Sequence, residues 1–339
     1  MDLSVVIPCY NAGEKVVKCI ESVVPLAITI SLEVIVVDDG SRDNSAMLIK
    51  ELNLPFVRLI QKENFGVSSA RNVGIDAATG TYLVFADADD YYIADKLLAV
   101  YNKAFSLSCD MLMFGYNYVT PNRVRRIALP DVASAEELKK QMVDTPFAKR
   151  YNSTYLTGRV YQYVFKRSSL TSRFDESLSY AEDLLFILDC LSNCGSLEFC
   201  NIYAYNYVYD GKSATNSYRL NYYNELKDMY SLLVSRGYTT YNYGYLYYMD
   251  RAIKNYIGRD IRMIEQIVHD ENLLEILSKD NFNKWTISEK LRNDAILSND
   301  FARVKLYYSV WRFCNNFRFF IIRIYTNIRG YIKRGINET

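Results

Sequence analysis

The chain has 339 residues, 50% of them apolar and 23% charged, with a net charge of +1. That length suits an α/β domain with an attachment, and the balance excludes a disordered or fibrous protein. Near-neutrality also lacks the basic excess of a nucleic-acid binder. Four short runs rich in β-branched residues, Leu3–Pro8, Leu32–Val37, Phe56–Ile60 and Tyr82–Ala86, read as strands. Helical patterns lie between them, from Glu14 to Val24, Asp43 to Leu52 and Val67 to Ala78. Such alternation predicts crossover connections and a mostly parallel sheet covered by helices on both faces. Met111–Tyr118 adds a further strand. Asn221–Arg236, Met249–Leu277 and Phe301–Arg334 then carry helical periodicity, and no proline follows Pro146. The expected organisation is an α/β domain over residues 1–220 and a helical C-terminal region over 221–339.

Ligands of such sheets bind outside the carboxyl ends of the strands, so the residues there are the most informative. The first strand ends in Pro8-Cys9-Tyr10-Asn11 and the second in Asp38-Asp39-Gly40-Ser41. The third leads to Asn64-Phe65-Gly66, with Ala70-Arg71-Asn72 on the next helix, and the fourth ends in Asp87-Ala88-Asp89-Asp90. Any one of these clusters alone reads as strand termination and helix capping. Five carboxylates converging on one sheet edge would repel one another unless a cation or a hydrogen-bonding ligand joined them. Asp87 and Asp89 supply oxygen-only ligands of the kind that hold magnesium or manganese against phosphate oxygens. Arg71 offers a fork for phosphate or carboxylate, and Tyr10 a face for stacking a base. Asp38 and Asp39 can accept hydrogen bonds from a base or ribose. The deduction is a metal–nucleotide site.

Four stretches carry a family resemblance: Val6-Ile7-Pro8-Cys9-Tyr10-Asn11, Val36-Val37-Asp38-Asp39-Gly40-Ser41, Asn64 to Gly74, and Phe85-Ala86-Asp87-Ala88-Asp89-Asp90. Their order resembles the successive motifs of the family 2 glycosyltransferases. A later patch, Phe174-Asp175-Glu176 followed by Ala181-Glu182-Asp183-Leu184, resembles that family's acidic motif on a helix facing the acceptor. The resemblance implies a GT-A fold, a Rossmann-like mixed sheet with helices on both faces. It also implies inverting transfer from a nucleotide-diphosphate sugar, with UDP the expected nucleotide. Pro8, Tyr10, Asn11, Asp38, Asp39, Arg71, Asp87 and Ala88 would then bind the donor, and Asp87 and Asp89 would hold a divalent manganese or magnesium ion. Asp183, with Glu182 beside it, would be the base that takes the acceptor proton. The competing reading of this pair is a solvated first helical turn, where acidic residues are favoured.

The chain departs from the family in two places. Val160-Tyr161-Gln162-Tyr163-Val164-Phe165 lacks a tryptophan and a basic residue frequent there. Tyr205-Asn206-Tyr207 and Lys212-Ser213-Ala214-Thr215 resemble a loop closing over the diphosphate, with Lys212 in place of an arginine. Cys190, Cys194 and Cys200 have no nearby histidine and read as core residues rather than zinc ligands. The lone His269 sits in a charged helical stretch and reads as a surface residue.

Between Phe301 and Asn337 there are eight basic residues and no acidic one. Phe313, Phe317, Phe320, Ile321, Ile324, Ile328 and Tyr331 fall on one helical face and Arg312, Arg323 and Arg334 opposite, with Phe319 and Ile322 departing from the pattern. This pattern predicts a helix lying in an anionic membrane surface. A helix docked on the catalytic domain is the alternative, and it does not require charge of one sign. No run of about 18 apolar residues would span a bilayer. Seven scattered cysteines and the lack of a signal-peptide pattern at Met1–Ile7 point to the cytoplasm, at the inner face of the cell membrane. The expected acceptor is a glycan or lipid-linked glycan in polysaccharide assembly. The rivals are a nucleotidyltransferase, which would release pyrophosphate, and a sugar-nucleotide-binding protein without catalysis. Nothing in the sequence sets the oligomeric state.

Overall fold

The computed structural model describes residues 1–130, 132, 134–144, 158–209, 218–239, 243–256 and 259–279, together with 293, 295–298, 303–304 and 306–308. Chain order begins with β1 (Leu3–Cys9), α1 (Glu14–Glu21), β2 (Leu32–Asp38), α2 (Ser45–Glu51), β3 (Val57–Gln61), α3 (Val67–Ala77) and β4 (Tyr82–Phe85). These follow the periodicity of the sequence closely. One difference is α1, which stops at Glu21; Val24–Ile28, with Pro25 in its first turn, is a tighter 3-10 helix.

The chain continues through β5 (Tyr91–Tyr92), α4 (Ala94–Leu107), β6 (Met111–Thr120), β7 (Arg123–Ile127), α5 (Ala135–Asp144), β8 (Tyr163–Lys166), α6 (Glu182–Asn193) and β9 (Leu197–Val208). The strands form one mixed sheet in the order β3-β2-β1-β4-β8-β6-β9-β5, with β7 paired to β6. From β3 to β4 every pairing is parallel, while β8 joins β4 and β6 antiparallel. β1 is buried at all seven positions, as a strand covered on both faces must be. Strand order reverses between β1 and β4, which opens a crevice at their carboxyl ends. Helix α3 lies against β1 so closely that a Cβ on Gly74 would sit 2.3 Å from Val6 Cγ1.

Among the described residues the chain divides into two compact units. One comprises Met1–Ser217 and Lys227–Thr240, the other Tyr218–Leu226 and Tyr241–Thr339. Helix α7 (Tyr222–Ser235) contributes to both. The second unit contains α8 (Tyr243–Tyr256), α9 (Ile261–Val268) and α10 (Glu271–Lys279), where the sequence suggested one continuous helical stretch over Met249–Leu277. Two aspartates make the breaks. Asp260 caps α9 by accepting from the Arg262 and Met263 N–H groups. Asp270 accepts from the Leu273 N–H and from the Tyr223 and Tyr245 hydroxyls. The apolar period runs on through both caps, which is why it read as unbroken. His269 is exposed at the end of α9, and Cys190 and Cys200 are buried. Among the described residues no helix is long and apolar enough to cross a membrane. The basic segment beyond Tyr308 and Lys212–Thr215 lie outside the described residues.

Candidate active site

The loop after β1 is pinned to the loop after β2. Asn11, at φ 50°, donates its N–H to Ser41 Oγ and accepts from the Arg42 N–H at its Oδ1. The Ala12 and Gly13 N–H groups both reach Ser45 Oγ. Pro8 is buried in β1, whereas Tyr10 is 50% exposed, its ring free to stack. Asp38 and Asp39 are almost wholly buried. Asp38 accepts from the Ser41 N–H and from Gln61 Nε2. Asp39 Oδ1 accepts from Lys62 Nζ and the Phe65 N–H, and Oδ2 from the Gly66 N–H. Those bonds hold the Asn64–Gly66 turn that launches α3. They use three of the four lone-pair positions of the Asp39 carboxylate.

The turn after β4 is held from the far side of the sheet. The Asp90 N–H bonds back to the Asp87 carbonyl. Tyr205 of β9 accepts the Asp87 N–H at its hydroxyl and donates that hydroxyl to Asp90 Oδ2 at 2.9 Å. The Val208 N–H supplies Asp90 Oδ1 at 2.7 Å. Asp90 is thus buried inside the turn, while Asp87 is part-exposed and Asp89 exposed. Burial raises the Asp90 carboxyl above its ordinary range; Asp87 and Asp89 add to that, against the Val208 and Tyr205 hydrogen bonds.

Arg71 joins this turn to α6. Its Nη2 donates to Asp87 Oδ1 at 3.0 Å, and its Nη1 to Glu182 Oε1 at 3.1 Å and Asp183 Oδ1 at 2.6 Å. The guanidinium is buried and lies 5.2 Å from the centre of the Phe174 ring. Burial opposes its charge, and Asp183, Asp87 and Glu182 outweigh that. The adjacent Asn72 fixes the approach to α6. Its amide donates to the Phe174 carbonyl and Glu176 Oε1, and its Oδ1 accepts the Phe174 N–H. Phe174 then stacks on Phe186 of α6 at 3.8 Å, and both rings meet Phe85, the last residue of β4, edge-on. The start of α6 is crowded as well: a Cβ on Gly158 would lie 2.6 Å from Leu184 Cα.

Glu182 and Asp183 therefore turn inward instead of forming a solvated helix start. One guanidinium faces three carboxylates, so it cannot neutralise them all. Burial raises the Asp183 carboxyl to about 7; Arg71 pulls it down, Glu182 and Asp87 push it up, and the Val160 N–H at 3.5 Å lowers it slightly. A carboxylate poised near neutrality suits a general base. The crowded β4 turn also suits a divalent cation: Asp87 and Asp89 are the accessible oxygen donors, and their charge already bears on Asp90. Among the described residues no group of three or more His, Cys, Asp or Glu side chains is arranged to hold an ion.

The structure thus brings together Arg71, Asp87, Glu182 and Asp183, and places Tyr10, Asn11, Asp38 and Asp39 on the neighbouring strand ends. Sequence reasoning missed Asn72 as the anchor of the 174–176 segment and Tyr205 as the clamp on the β4 turn. Tyr205-Asn206-Tyr207 is not a loop but part of β9, paired with β6 and β5. Its alternating tyrosines carry the signal of a strand, since aromatic residues suit a pleated surface.

A mixed sheet whose carboxyl edge holds an aspartate turn, an inward acidic pair and a bridging arginine defines a GT-A glycosyltransferase fold. Residues 4–170 match the Glycosyl transferase family 2 model, which places that part of the chain in the family. It is 50% identical over 90 residues to the uncharacterized glycosyltransferase YibD of Escherichia coli K12, covering 26% of each chain. To the uncharacterized glycosyltransferase EpsJ of Bacillus subtilis it is 28% identical over 218 residues, 63% of this chain and 62% of that one. To the Escherichia coli chondroitin synthase it is 30% identical over 230 residues, 63% of this chain and 30% of that one. The matches thus span 26% to 62% of the length of these relatives. The fold is shared with Staphylococcus aureus TarS 1–349, solved in complex with UDP-GlcNAc, at a TM-score of 0.62 and 17% identity over 92% of each chain.

Proposed function

We propose that this protein is an inverting sugar transferase, moving a hexosyl or N-acetylhexosaminyl group from a UDP-sugar to an acceptor hydroxyl of a glycan or lipid-linked glycan. The observation that carries this reading is the Arg71 bridge, which ties Asp87 of the strand-end turn to Glu182 and Asp183 in one hydrogen-bonded cluster. Donor and acceptor chemistry then meet at one point. The relatives named glycosyltransferases and the UDP-GlcNAc complex of TarS support the same reading.

On this reading the catalytic domain spans residues 1–220. Tyr10 stacks on the base, and Pro8 and Asn11 line its pocket. Asp39 takes a base N–H at its remaining lone pair, with Asp38 behind it. Asp87 and Asp89, beside Ala88, would hold a divalent manganese or magnesium ion, which would supply stabilisation of the negative charge on the departing diphosphate. The acceptor oxygen attacks the anomeric carbon as the bond from that carbon to the diphosphate oxygen breaks. The hydroxyl proton passes to the Asp183 carboxylate, and UDP leaves with the bonding electron pair. Arg71 keeps Asp183 oriented, and its charge limits the rise of the carboxyl's proton affinity. Peripheral attachment through the basic segment 301–337 rests on its sequence; sedimentation with anionic vesicles, lost on deleting residues 301–339, tests it.

The direct test is incubation with UDP-sugars, manganese and a panel of glycan acceptors. Free UDP and an extended acceptor of inverted anomeric configuration are expected. Release of pyrophosphate, or donor binding without turnover on any acceptor, would replace this reading with one of its rivals.

A further inference from the structure

A column of tyrosines leads away from the candidate site along β6 and β9. It starts at Tyr205, whose hydroxyl holds Asp90 and the Asp87 N–H. Tyr161 stacks on Tyr205 at 4.2 Å and on Tyr207 at 6.0 Å. Tyr207 lies opposite Tyr118 in the β6–β9 register, and their rings stack at 5.6 Å. Tyr118 also stacks on Tyr209 at 5.7 Å. The inner rings of the column are buried, whereas Tyr118, Tyr207 and Tyr209 are half-buried and form its outer part.

Cations accompany the column. The Arg159 guanidinium lies 5.1 Å from the Tyr207 ring centre and donates to the Tyr161 hydroxyl. The next residue, Val160, sends its N–H to Asp183. At the outer end Arg125, directly opposite Tyr118 in the β6–β7 register, lies 5.6 Å from that ring. Arg123 is two residues away on the same face, and both arginines are exposed. Of the elements that build the face, β6, β7 and residues 158–169 contain no Asp or Glu, and β9 carries one acidic residue, Glu198, near its start and away from Tyr205–Tyr207. An exposed guanidinium fork prefers carboxylate or phosphate oxygens, and flat aromatic faces cover the apolar C–H faces of sugar rings.

We infer that this face is the track for an acceptor saccharide that carries negative charge, as carboxylate or phosphate groups, running from Arg123 and Arg125 toward Asp183. The inference rests on the glycosyl-transfer reading and names the class of acceptor. Aromatic rings supply contact that any saccharide could use, and the arginines select the charged ones. Charge at the track's outer end holds the chain several sugars back from the reacting hydroxyl. The transferred sugar itself need carry no charge.

The test is a calorimetric titration of the full-length protein with three oligosaccharides of equal length. One bears hexuronate carboxylates, the second is the same compound with those groups reduced to neutral alcohols, and the third is joined by phosphodiesters. At least one anionic compound should bind about tenfold more tightly than the neutral one, and comparison of the two identifies the group. The exposed double variant Arg123→Ala/Arg125→Ala should lose about tenfold for the anionic compound while neutral binding and UDP affinity stay unchanged. Lys96→Ala, an exposed charge on α4, should change nothing. Equal affinity for charged and neutral compounds, no binding of either anion, no loss in the double variant, or an equal loss in Lys96→Ala would overturn the inference. Failure of UDP to bind the parent protein would instead remove the glycosyl-transfer reading, and the saccharide comparison would still stand on its own.

Discussion

The ends of β2 and β4 are spelled almost alike, Asp38-Asp39 and Asp87-Ala88-Asp89-Asp90, and the fold uses them in opposite ways. At the end of β2 the carboxylates are buried and occupied: Asp39 alone holds Lys62 and the N–H groups of Phe65 and Gly66. At the end of β4 Asp90 is held in this manner, by Tyr205 and Val208. Asp89 remains exposed, and Asp87 is turned toward Arg71. A carboxylate that receives several backbone hydrogen bonds is well compensated and shapes a loop. One that is crowded by like charges and faces water can meet a ligand arriving from solvent. The contrast separates loop-building from chemistry, and substitutions can test it.

Asp89→Ala makes the largest break. It should reduce transfer by roughly a thousandfold. Its melting temperature should match the parent, because the side chain is exposed. In the parent, chelation of divalent ions should weaken UDP binding, measured by calorimetry. Retained transfer in this variant would place the cation elsewhere.

Asp183→Asn comes next, with transfer down by roughly 100-fold and UDP affinity nearly intact. Asparagine preserves size and can still accept from Arg71, yet it cannot take a proton. An inactive Glu182→Gln beside an active Asp183→Asn would exchange the two roles. The pH profile sharpens the same point. A base must be ionised to act, so kcat/KM should rise with pH through about 7, where burial and two neighbouring carboxylates hold Asp183. A limb lying in the ordinary carboxylate range near pH 4 would show that another group is being titrated.

The smallest effect on turnover is expected at β2. Asp39→Asn places an amide donor among donors and should cost about 1–3 kcal/mol of stability, read by denaturant titration. Donor affinity should fall moderately, and the metal requirement should not change. A fully stable variant with unchanged UDP binding would mean that Asp39 neither builds the Asn64–Gly66 turn nor meets the base.

Much of this architecture was legible beforehand because β1, β2 and β4 are buried on both faces and bounded by polar turns. Their apolar runs needed no tertiary information. The later strands were harder. Within 197–208, tyrosines recur at every second position from Tyr203 to Tyr207, a strand period that a loop resemblance obscured, and β7 consists largely of arginines. The pattern over Met249–Leu277 hid two helix breaks, since Asp260 and Asp270 act as caps without interrupting the apolar period. At the site, residue types and their order pointed to Asp87, Asp89, Glu182 and Asp183. Their partners were not written in either segment.

By itself the sequence determined the alternation of strand and helix, the polar strand ends and the family, because these are local patterns of period and residue type. Only the tertiary structure decided which aspartates are buried in loop hydrogen bonds and which face solvent. That depends on groups far away in the chain: Tyr205 is 115 residues from the Asp90 it clamps, and Arg71 is 112 from Asp183. It also decided that α6 enters with its acidic turn facing inward, through Asn72 and the Phe174–Phe186 stack. A carboxylate's charge state and role follow from burial and from what surrounds it, and no local spacing records either.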